Sequence, residues 1–341
     1  MAYSKVLVGT DGSATARVAE RAATTVAAAA SGQVLILSAH ATEADERAAG
    51  KVVDQAAQEA ERRGVIAERL TAQGEPAPLI VELADRLDAD LIVVGDVGMG
   101  GPKRFRLGGV ADHVSHNMPC DLLVVRTSRA KPGDVPATYE SVLIATDGSA
   151  TADHAAHEGT DFAVMMGAGV TLVHVGDELL GRVVLKDTAE RLGDADLPTR
   201  AIKGAEPGDA IVELAQREGH DLVVIGNKGM SGALRFAMGT VPNKISHNAP
   251  CDVLIVNTAG RSLDDIRPGH GALVVHDGKK IAAFRDDSGD LVMLSPKCKH
   301  LGCTVGWNES AATWDCPCHG SRYDARGKVI QGPAQRDLDP I

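Results

Sequence analysis

Six side chains near the end of the chain have the types and spacing of metal ligands. They fall in two segments, Cys298-Lys-His300-Leu-Gly-Cys303 and Cys316-Pro-Cys318-His319-Gly320-Ser321-Arg-Tyr323. Thiolates and imidazoles bind zinc and the iron of iron–sulfur centres, so four sulfurs and two rings this close in sequence point to a metal. A zinc site wants four ligands, and a zinc ribbon spaces them Cys-x2-Cys, which neither segment does. An iron pair bridged by sulfide, with thiolates on one iron and imidazoles on the other, uses the same donor types. The donors alone leave both metals open.

A second candidate site is made of glycines. Gly226-Asn-Lys-Gly229 is followed, nine residues on, by Gly239-Thr240-Val241 leading into a predicted helix. Glycines let backbone N–H groups approach phosphate oxygens, the helix N-terminus adds partial positive charge, and the Thr240 hydroxyl supplies one more hydrogen bond. Asp147, at the end of a predicted strand, has the chemistry to accept from a ribose hydroxyl or to help hold magnesium. Glycine loops after strands are also common as plain tight turns, and this one needs further support.

The elements that position these groups come from a duplication. Thr10-Asp-Gly-Ser13 returns as Thr146-Asp-Gly-Ser149, and Ser115-His-Asn-Met-Pro-Cys-Asp121 as Ser246-His-Asn-Ala-Pro-Cys-Asp252. The period is too long for a solenoid unit and indicates a doubled domain. Within copy one, strand-like runs at Lys5 to Gly9, Val34 to Ala39, Ile66 to Leu70, Asp90 to Gly95 and Asp121 to Arg126 alternate with helical stretches such as Ala44 to Arg63. Near-continuous apolar strands imply a parallel sheet covered on both faces, and the expected fold is an α/β doubly wound parallel sheet in two tandem copies. Ligands of such sheets sit beyond the carboxyl ends of the strands, where both Thr-Asp-Gly-Ser segments and both glycine loops fall. The last 80 or so residues, with strand-like runs at Ala272 to His276 and Leu291 to Leu294 and a turn at Ser288-Gly289, read as a small all-β domain. The expected boundaries are 1–130, 138–260 and 264–341.

Composition narrows the partners. A net charge of −11 and 3% aromatic residues argue against a phosphate backbone or single-stranded nucleic acid. No apolar run reaches the length of a membrane span, and the N-terminus enters a strand pattern with no leader-like segment, so the expected location is cytoplasmic. Cys120 and Cys251, at equivalent repeat positions, are expected to be buried structural thiols. His154 and His157 on one predicted helix are expected to be a solvated face rather than a metal pair.

Two families enter on these motifs. The strand ending in Asp-Gly-Ser, the Gly-x2-Gly-x9-Gly-Thr spacing and the Val-Pro-Asn-Lys-Ile-Ser-His-Asn-Ala-Pro-Cys segment resemble the universal stress protein family over residues 3 to 257. The resemblance implies an ATP pocket, with or without magnesium, lined by Asp147, Val175, Gly226, Gly229, Gly239, Thr240 and Val241. Copy one departs from it: Gly95-Asp-Val-Gly98 and Gly108-Gly109 lack the threonine, and Asp96 places an acid where phosphates would lie. Lys103, Arg104 and Arg106 restore the loop's summed charge, so geometry rather than bulk charge makes copy one the expected weak binder.

The Cys-x-His and Cys-x2-His segments, with Gly320, Ser321, Tyr323 and the closing Gly332-Pro-Ala, resemble the Rieske family from about residue 266 onward. That resemblance implies a [2Fe-2S] cluster with Cys298 and Cys316 on one iron and His300 and His319 on the other. It also implies a Cys303–Cys318 disulfide, and Ser321 and Tyr323 as donors that tune the cluster. Two neutral imidazoles in place of thiolates make electron addition easier, so the expected potential lies in the upper part of a range of roughly −150 to +300 mV. Imidazole N–H groups facing away from iron are expected to lose protons more readily when the cluster is oxidised.

The expected function is a redox, electron-transfer or redox-sensing stress protein, not catalytic alone, with unknown protein donors and acceptors. The competing expectation is the electron-transfer component of an oxidoreductase system with a separate catalytic partner. No flavin or nicotinamide fingerprint appears, slow ATP hydrolysis by copy two stays open, and a homodimer is kept open as an assembly.

Overall fold

The computed structural model describes residues 3–97, 107–127, 138–204, 206–227, 240–258, 263, 266, 268–276, 279–308, 311–316 and 319–341. The chain divides into two compact units, Tyr3–Thr258 and Ala259–Ile341.

In the first unit the repeat is visible element by element. Copy one runs β1 (Lys5–Gly9), α1 (Ala14–Ala29), β2 (Gln33–His40), α2 (Glu43–Arg62), β3 (Ile66–Gln73), α3 (Pro76–Arg86), β4 (Leu91–Gly95), α4 (Gly109–Asn117) and β5 (Asp121–Val125). Copy two runs β6 (Ser141–Ala145), α5 (Ala150–Met166), β7 (Gly169–Gly176), α6 (Glu178–Leu192), β8 (Thr199–Lys203), α7 (Pro207–Glu218), β9 (Leu222–Gly226), α8 (Thr240–Asn248) and β10 (Asp252–Val256). Pro76 and Pro207 open α3 and α7 in the first turn, where a missing N–H costs nothing. Central strands such as Leu91–Gly95 are buried almost throughout, as a sheet covered by helices on both faces requires.

The two copies do not form separate sheets. All ten strands join in the order β3-β2-β1-β4-β5-β10-β9-β6-β7-β8. Each half is parallel, and the halves meet where β5 and β10 pair antiparallel, Leu123 opposite Leu254. In each half the chain winds outward from the inner strand and returns to pair on its other side, which leaves a crevice at the carboxyl ends of β1/β4 and of β6/β9.

Crossed carboxylates fasten the seam. Asp252 Oδ1 accepts from the Arg126 backbone N–H (2.8 Å) and Asp121 Oδ1 from the Asn257 N–H (2.9 Å), so each strand start holds the end of its partner. The second oxygens accept from Tyr139 (2.8 Å) and Tyr3 (2.9 Å), whose rings pack edge-on or tilted against Phe162 of α5. Two expectations change here. Cys120 and Cys251 are half-buried and lie against the edge of the core instead of inside it, because each follows a proline just before the strand begins. On α5, His157 is exposed as expected, but His154 is largely covered, with Nδ1 4.0 Å from the buried Glu158.

The second unit has a three-stranded antiparallel sheet, β11 (His270–His276), β12 (Lys279–Arg285) and β13 (Leu291–Leu294). A four-stranded sheet follows, β14 (Gly306–Asn308), β15 (Thr313–Asp315), β16 (Arg322–Asp324) and β17 (Val329–Gln331). Gly271 of β11 must lack a side chain, since a Cβ there would lie 2.5 Å from the Trp307 ring. Trp314 and Tyr323 are fully buried in the core of this unit. Truncating a buried Trp or Phe to Ala typically costs about 3–5 kcal/mol, so these two aromatics anchor a small core.

The seam generates a prediction. Burial raises the Asp252 carboxyl to about 6, against the hydrogen bonds from Arg126 and Tyr139 and the Arg126 charge, which favour ionisation. A raised carboxyl contributes stability that is fully present below the unfolded value near ~4 and is lost as pH rises through the folded value. Denaturant melts of the wild type should therefore lose on the order of 3 kcal/mol between about pH 4 and 6 relative to Asp252→Asn, which has nothing to ionise. Parallel pH profiles for the two proteins would contradict this.

Candidate metal centre and nucleotide crevice

The candidate metal ligands sit on two loops of the same construction. In the loop between β13 and β14, the Cys298 N–H donates to the Cys303 carbonyl (2.8 Å) and the Gly302 N–H to the Cys298 carbonyl (2.9 Å). Between β15 and β16, the Cys316 N–H donates to the Ser321 carbonyl (2.7 Å) and the Gly320 N–H to the Cys316 carbonyl (3.0 Å). Gly302 and Gly320 take left-handed φ values of 78° and 71°, which a residue with a Cβ adopts only at a cost. The equal Cys-x3-Gly spacing in both segments was the sequence signal for this pairing.

The loops bury their cysteines and expose their histidines. Cys298 and Cys316 are 3% and 2% exposed and close enough to hydrogen-bond through sulfur, whereas His300 and His319 lie at the surface with ring centroids 4.8 Å apart. Burial pushes the Cys298 thiol up, but hydrogen bonds from Tyr323, the His300 backbone, Cys316 and Ser321 outweigh it and the net shift is downward. The site thus favours thiolate, the form that binds metal. Tyr323 donates to Cys298 Sγ (3.2 Å) and accepts from the Lys299 N–H (3.0 Å); burial and then the Cys298 contact push its own pKa up to about 12. Ser321 is fully buried and accepts from the Ala334 N–H (3.0 Å), tying the Gly332-Pro-Ala segment to the second loop. The Lys299 N–H, which donates to Tyr323, is a contributor that the motif did not reveal.

A two-iron cluster takes two protein ligands per iron. Two buried thiols beside two exposed imidazoles fit that donor set. Cys303 is disulfide-bonded, and Cys318 lies outside the described residues.

The nucleotide candidates converge less completely. β7, β6 and β9 are adjacent, so Val175, Asp147 and Gly226 fall at the same end of neighbouring strands, and Thr240 and Val241 open α8. Gly229 and Gly239 lie outside the described residues, as do Lys103, Arg104 and Arg106. The Thr-Asp-Gly-Ser repeat proves to be a turn in both copies. Gly12 and Gly148 are left-handed at 74° and 78°, and their N–H groups donate to Thr10 and Thr146 Oγ1. Asp11 and Asp147 accept from the Ser13 and Ser149 N–H groups, and those serines cap α1 and α5. One oxygen of Asp147 is therefore engaged within its own turn, including Ser149 Oγ at 2.5 Å.

Asp96 corrects the expectation made for it. Its carboxylate is buried and accepts from Thr127 N–H (2.9 Å) and Oγ1 (2.7 Å). Asn227 Oδ1 does the same for Thr258 in copy two (3.0 and 2.6 Å), so an acceptor oxygen at the strand end is what both positions require.

Comparison with known proteins agrees with this division. The sequence profile of the universal stress protein family matches residues 2–126 and 178–257, and that of the Rieske [2Fe-2S] domain matches residues 260–341. A universal stress protein from Archaeoglobus fulgidus DSM 4304 superposes with a TM-score of 0.62 at 18% identity, over 76% of this chain and all of that one, a likeness of fold. The Bacillus subtilis (strain 168) protein YhfW, named for its Rieske 2Fe-2S class, is 50% identical over 78 residues, 23% of this chain and 15% of that one. The cytochrome b6-f complex iron-sulfur subunit 2 of the Cyanophora paradoxa cyanelle is 30% identical over 158 residues, 42% of this chain and 65% of that one. The chain thus spans under two thirds of the length of these curated relatives. No helix among the described residues is long and apolar enough to cross a membrane. With the family profile matching more than half of its length, the chain belongs to the universal stress protein family and carries a Rieske [2Fe-2S] domain at its C-terminal end.

Proposed function

We propose that this protein is a one-electron carrier or redox sensor in which a Rieske cluster is joined to a nucleotide-binding universal stress pair, working in the cytoplasm with separate donor and acceptor proteins. The carrying observation is the donor set: two buried thiols on matched loops, with the Cys298 thiol shifted downward, beside two exposed imidazoles. Cys298 and Cys316 would hold one iron and His300 and His319 the other, and the bound cluster would supply reversible one-electron chemistry. The chain's own residues set its terms. Tyr323 donates to a ligand sulfur, which stabilises the more electron-rich state, and burial keeps water from the thiolate side. Cys318 is the proposed disulfide partner of Cys303, which is disulfide-bonded, as the Rieske resemblance implies. The alternative role, electron supply to a separate catalytic partner in an oxidoreductase system, uses the same site. Relatives named as subunits of the cytochrome b6-f complex favour a partnered role of this kind.

ATP is the proposed ligand of copy two, at the carboxyl ends of β7, β6 and β9, with Asp147, Val175, Gly226, Gly229, Gly239, Thr240 and Val241 as its lining and domain limits near 1–130, 138–260 and 264–341. Support comes from the strand order, which puts Asp147, Val175 and Gly226 at one crevice beside the start of α8. Any effect of nucleotide on the cluster must be matched by an equal effect of cluster oxidation state on nucleotide affinity.

Electron paramagnetic resonance of the reduced protein should show a cluster signal with an average g below that of all-cysteine [2Fe-2S] sites. A colourless zinc protein would refute the reading. Tyr323→Phe should lower the midpoint potential by about 40 mV, since one hydrogen bond is worth ~1 kcal/mol and ~59 mV corresponds to tenfold for one electron. An unchanged potential would remove Tyr323 from the tuning role. Calorimetry should find one ATP site per chain, weakened about tenfold or more by Thr240→Val, as expected for losing a hydrogen bond to a charged group. Two equivalent sites, or no effect of the substitution, would count against this assignment.

A further inference from the structure

The first ligand loop carries two lysines in opposite surroundings. Lys297 is exposed where the loop closes by a bridge to Thr304, whereas the Lys299 side chain, between Cys298 and His300 in sequence, is 20% exposed. Lysine is among the residues least often covered, because its ammonium group is strongly hydrated, so a covered one calls for a partner. The partner comes from residues 337–341: Lys299 Nζ donates to Asp339 Oδ2.

Asp339 is delivered there by its backbone. The Ser295 N–H donates to the Asp339 carbonyl (2.8 Å), Pro340 bridges to Leu294, and the Ile341 N–H donates to the Met293 carbonyl (3.0 Å). The segment therefore lies antiparallel along the end of β13. Leu338 is buried in the same core as Cys298 and Cys316, and its N–H donates to the Gly327 carbonyl (2.8 Å). Lys299 is fixed from its own side, since its N–H donates to Tyr323 Oη (3.0 Å), which in turn donates to Cys298 Sγ (3.2 Å). Two separate pieces of backbone thus hold a carboxylate against an ammonium, and the ammonium belongs to the residue that follows a candidate ligand.

For stability such a pair counts for little, because Asp339 is 64% exposed and water screens the attraction. Its charges act differently on a redox site. Adding an electron adds one negative charge, which a nearby cation favours and a nearby anion opposes, whatever the strength of the bond between the two.

We propose that Lys299 and Asp339 set the charge beside the thiolate end of the redox site. Lys299 raises the midpoint potential from within the first ligand loop, and Asp339 holds the ammonium in place while offsetting part of its effect. The inference rests on the Rieske reading above and extends that site to residues 337–341. Neither side chain takes up an electron or a proton; both act as positioning residues through their fields.

Potentiometric titration of the cluster-loaded full chain, followed by its paramagnetic signal, tests this. Lys299→Gln should lower the reduced-to-oxidised ratio at a fixed applied potential about threefold, or ~28 mV at ~59 mV per tenfold, the order of effect of one partly screened charge. Asp339→Asn should raise the ratio about twofold, ~18 mV on the same scale, and the double variant should fall between the two. Added salt should shrink both shifts. A loosened loop would move both single variants the same way, so shifts of one sign, or none, with the cluster signal intact would overturn the charge role. If Lys299→Gln does not fold, the exposed Asp339 position still reads the sign. Amine acylation of the same proteins, read by mass spectrometry, checks the pairing apart from the potential. Lys299 should react more slowly than Lys297 in the parent and faster after Asp339→Asn, with Lys297 unchanged. Equal Lys299 reactivity in parent and Asp339→Asn would overturn the pairing. A parent with no mixed-ligand cluster signal would overturn both this inference and the Rieske reading.

Discussion

Two backbone hydrogen bonds, made twice, hold the chemistry of the C-terminal unit together. One closes each loop from the cysteine N–H to a carbonyl five residues on, and the other turns it through a left-handed glycine back to the cysteine carbonyl. Because both loops close in the same way, Cys298 and Cys316 both point inward and are nearly inaccessible, while the histidines that follow them remain outside. Tyr323, Ser321 and the Gly332-Pro-Ala segment then have fixed targets. A site with one buried and one exposed side has a thiolate end shielded from water and an imidazole end open to partners and protons.

The universal stress unit depends on a comparable economy at its centre. Antiparallel pairing of β5 with β10 turns two five-stranded halves into one ten-stranded sheet and removes two exposed edges. The aspartates that begin those strands each hold the far end of the partner strand and a tyrosine from the start of their own copy. The copies diverge around this symmetric frame. Arg126 of copy one also donates to the Ser246 carbonyl of α8 (2.6 Å), whereas the equivalent Asn257 donates to the Met118 carbonyl (3.3 Å) and accepts from Asn227 Nδ2 (3.2 Å).

Much of this was legible before folding. The strand-like runs fall on observed strands, most within a residue or two, although β3 runs three residues past its expected end at Leu70, since apolar runs are local signals. The Cys and His spacing pointed to the proposed metal-ligand set because coordination demands particular donor types. Local reading failed where one residue type has two uses. Asp96 looked like a misplaced acid in a phosphate loop and is instead a strand-end acceptor shared with Asn227. Thr-Asp-Gly-Ser, read for its place at the ligand end of the sheet, also builds a turn and caps a helix in both copies.

By itself, the sequence determined that there are two copies of an α/β fold and a cysteine–histidine β domain, because periodicity and ligand spacing are properties of the chain order. Tertiary structure alone decided that the copies share one sheet, that Asp121 and Asp252 cross the seam, and that Trp307, Trp314 and Tyr323 stand opposite one another on three neighbouring strands. Those relations join residues far apart along the chain, through strand register and through a missing Cβ at Gly271. Register and close approach are set by how whole strands pack, so no local pattern of residues encodes them.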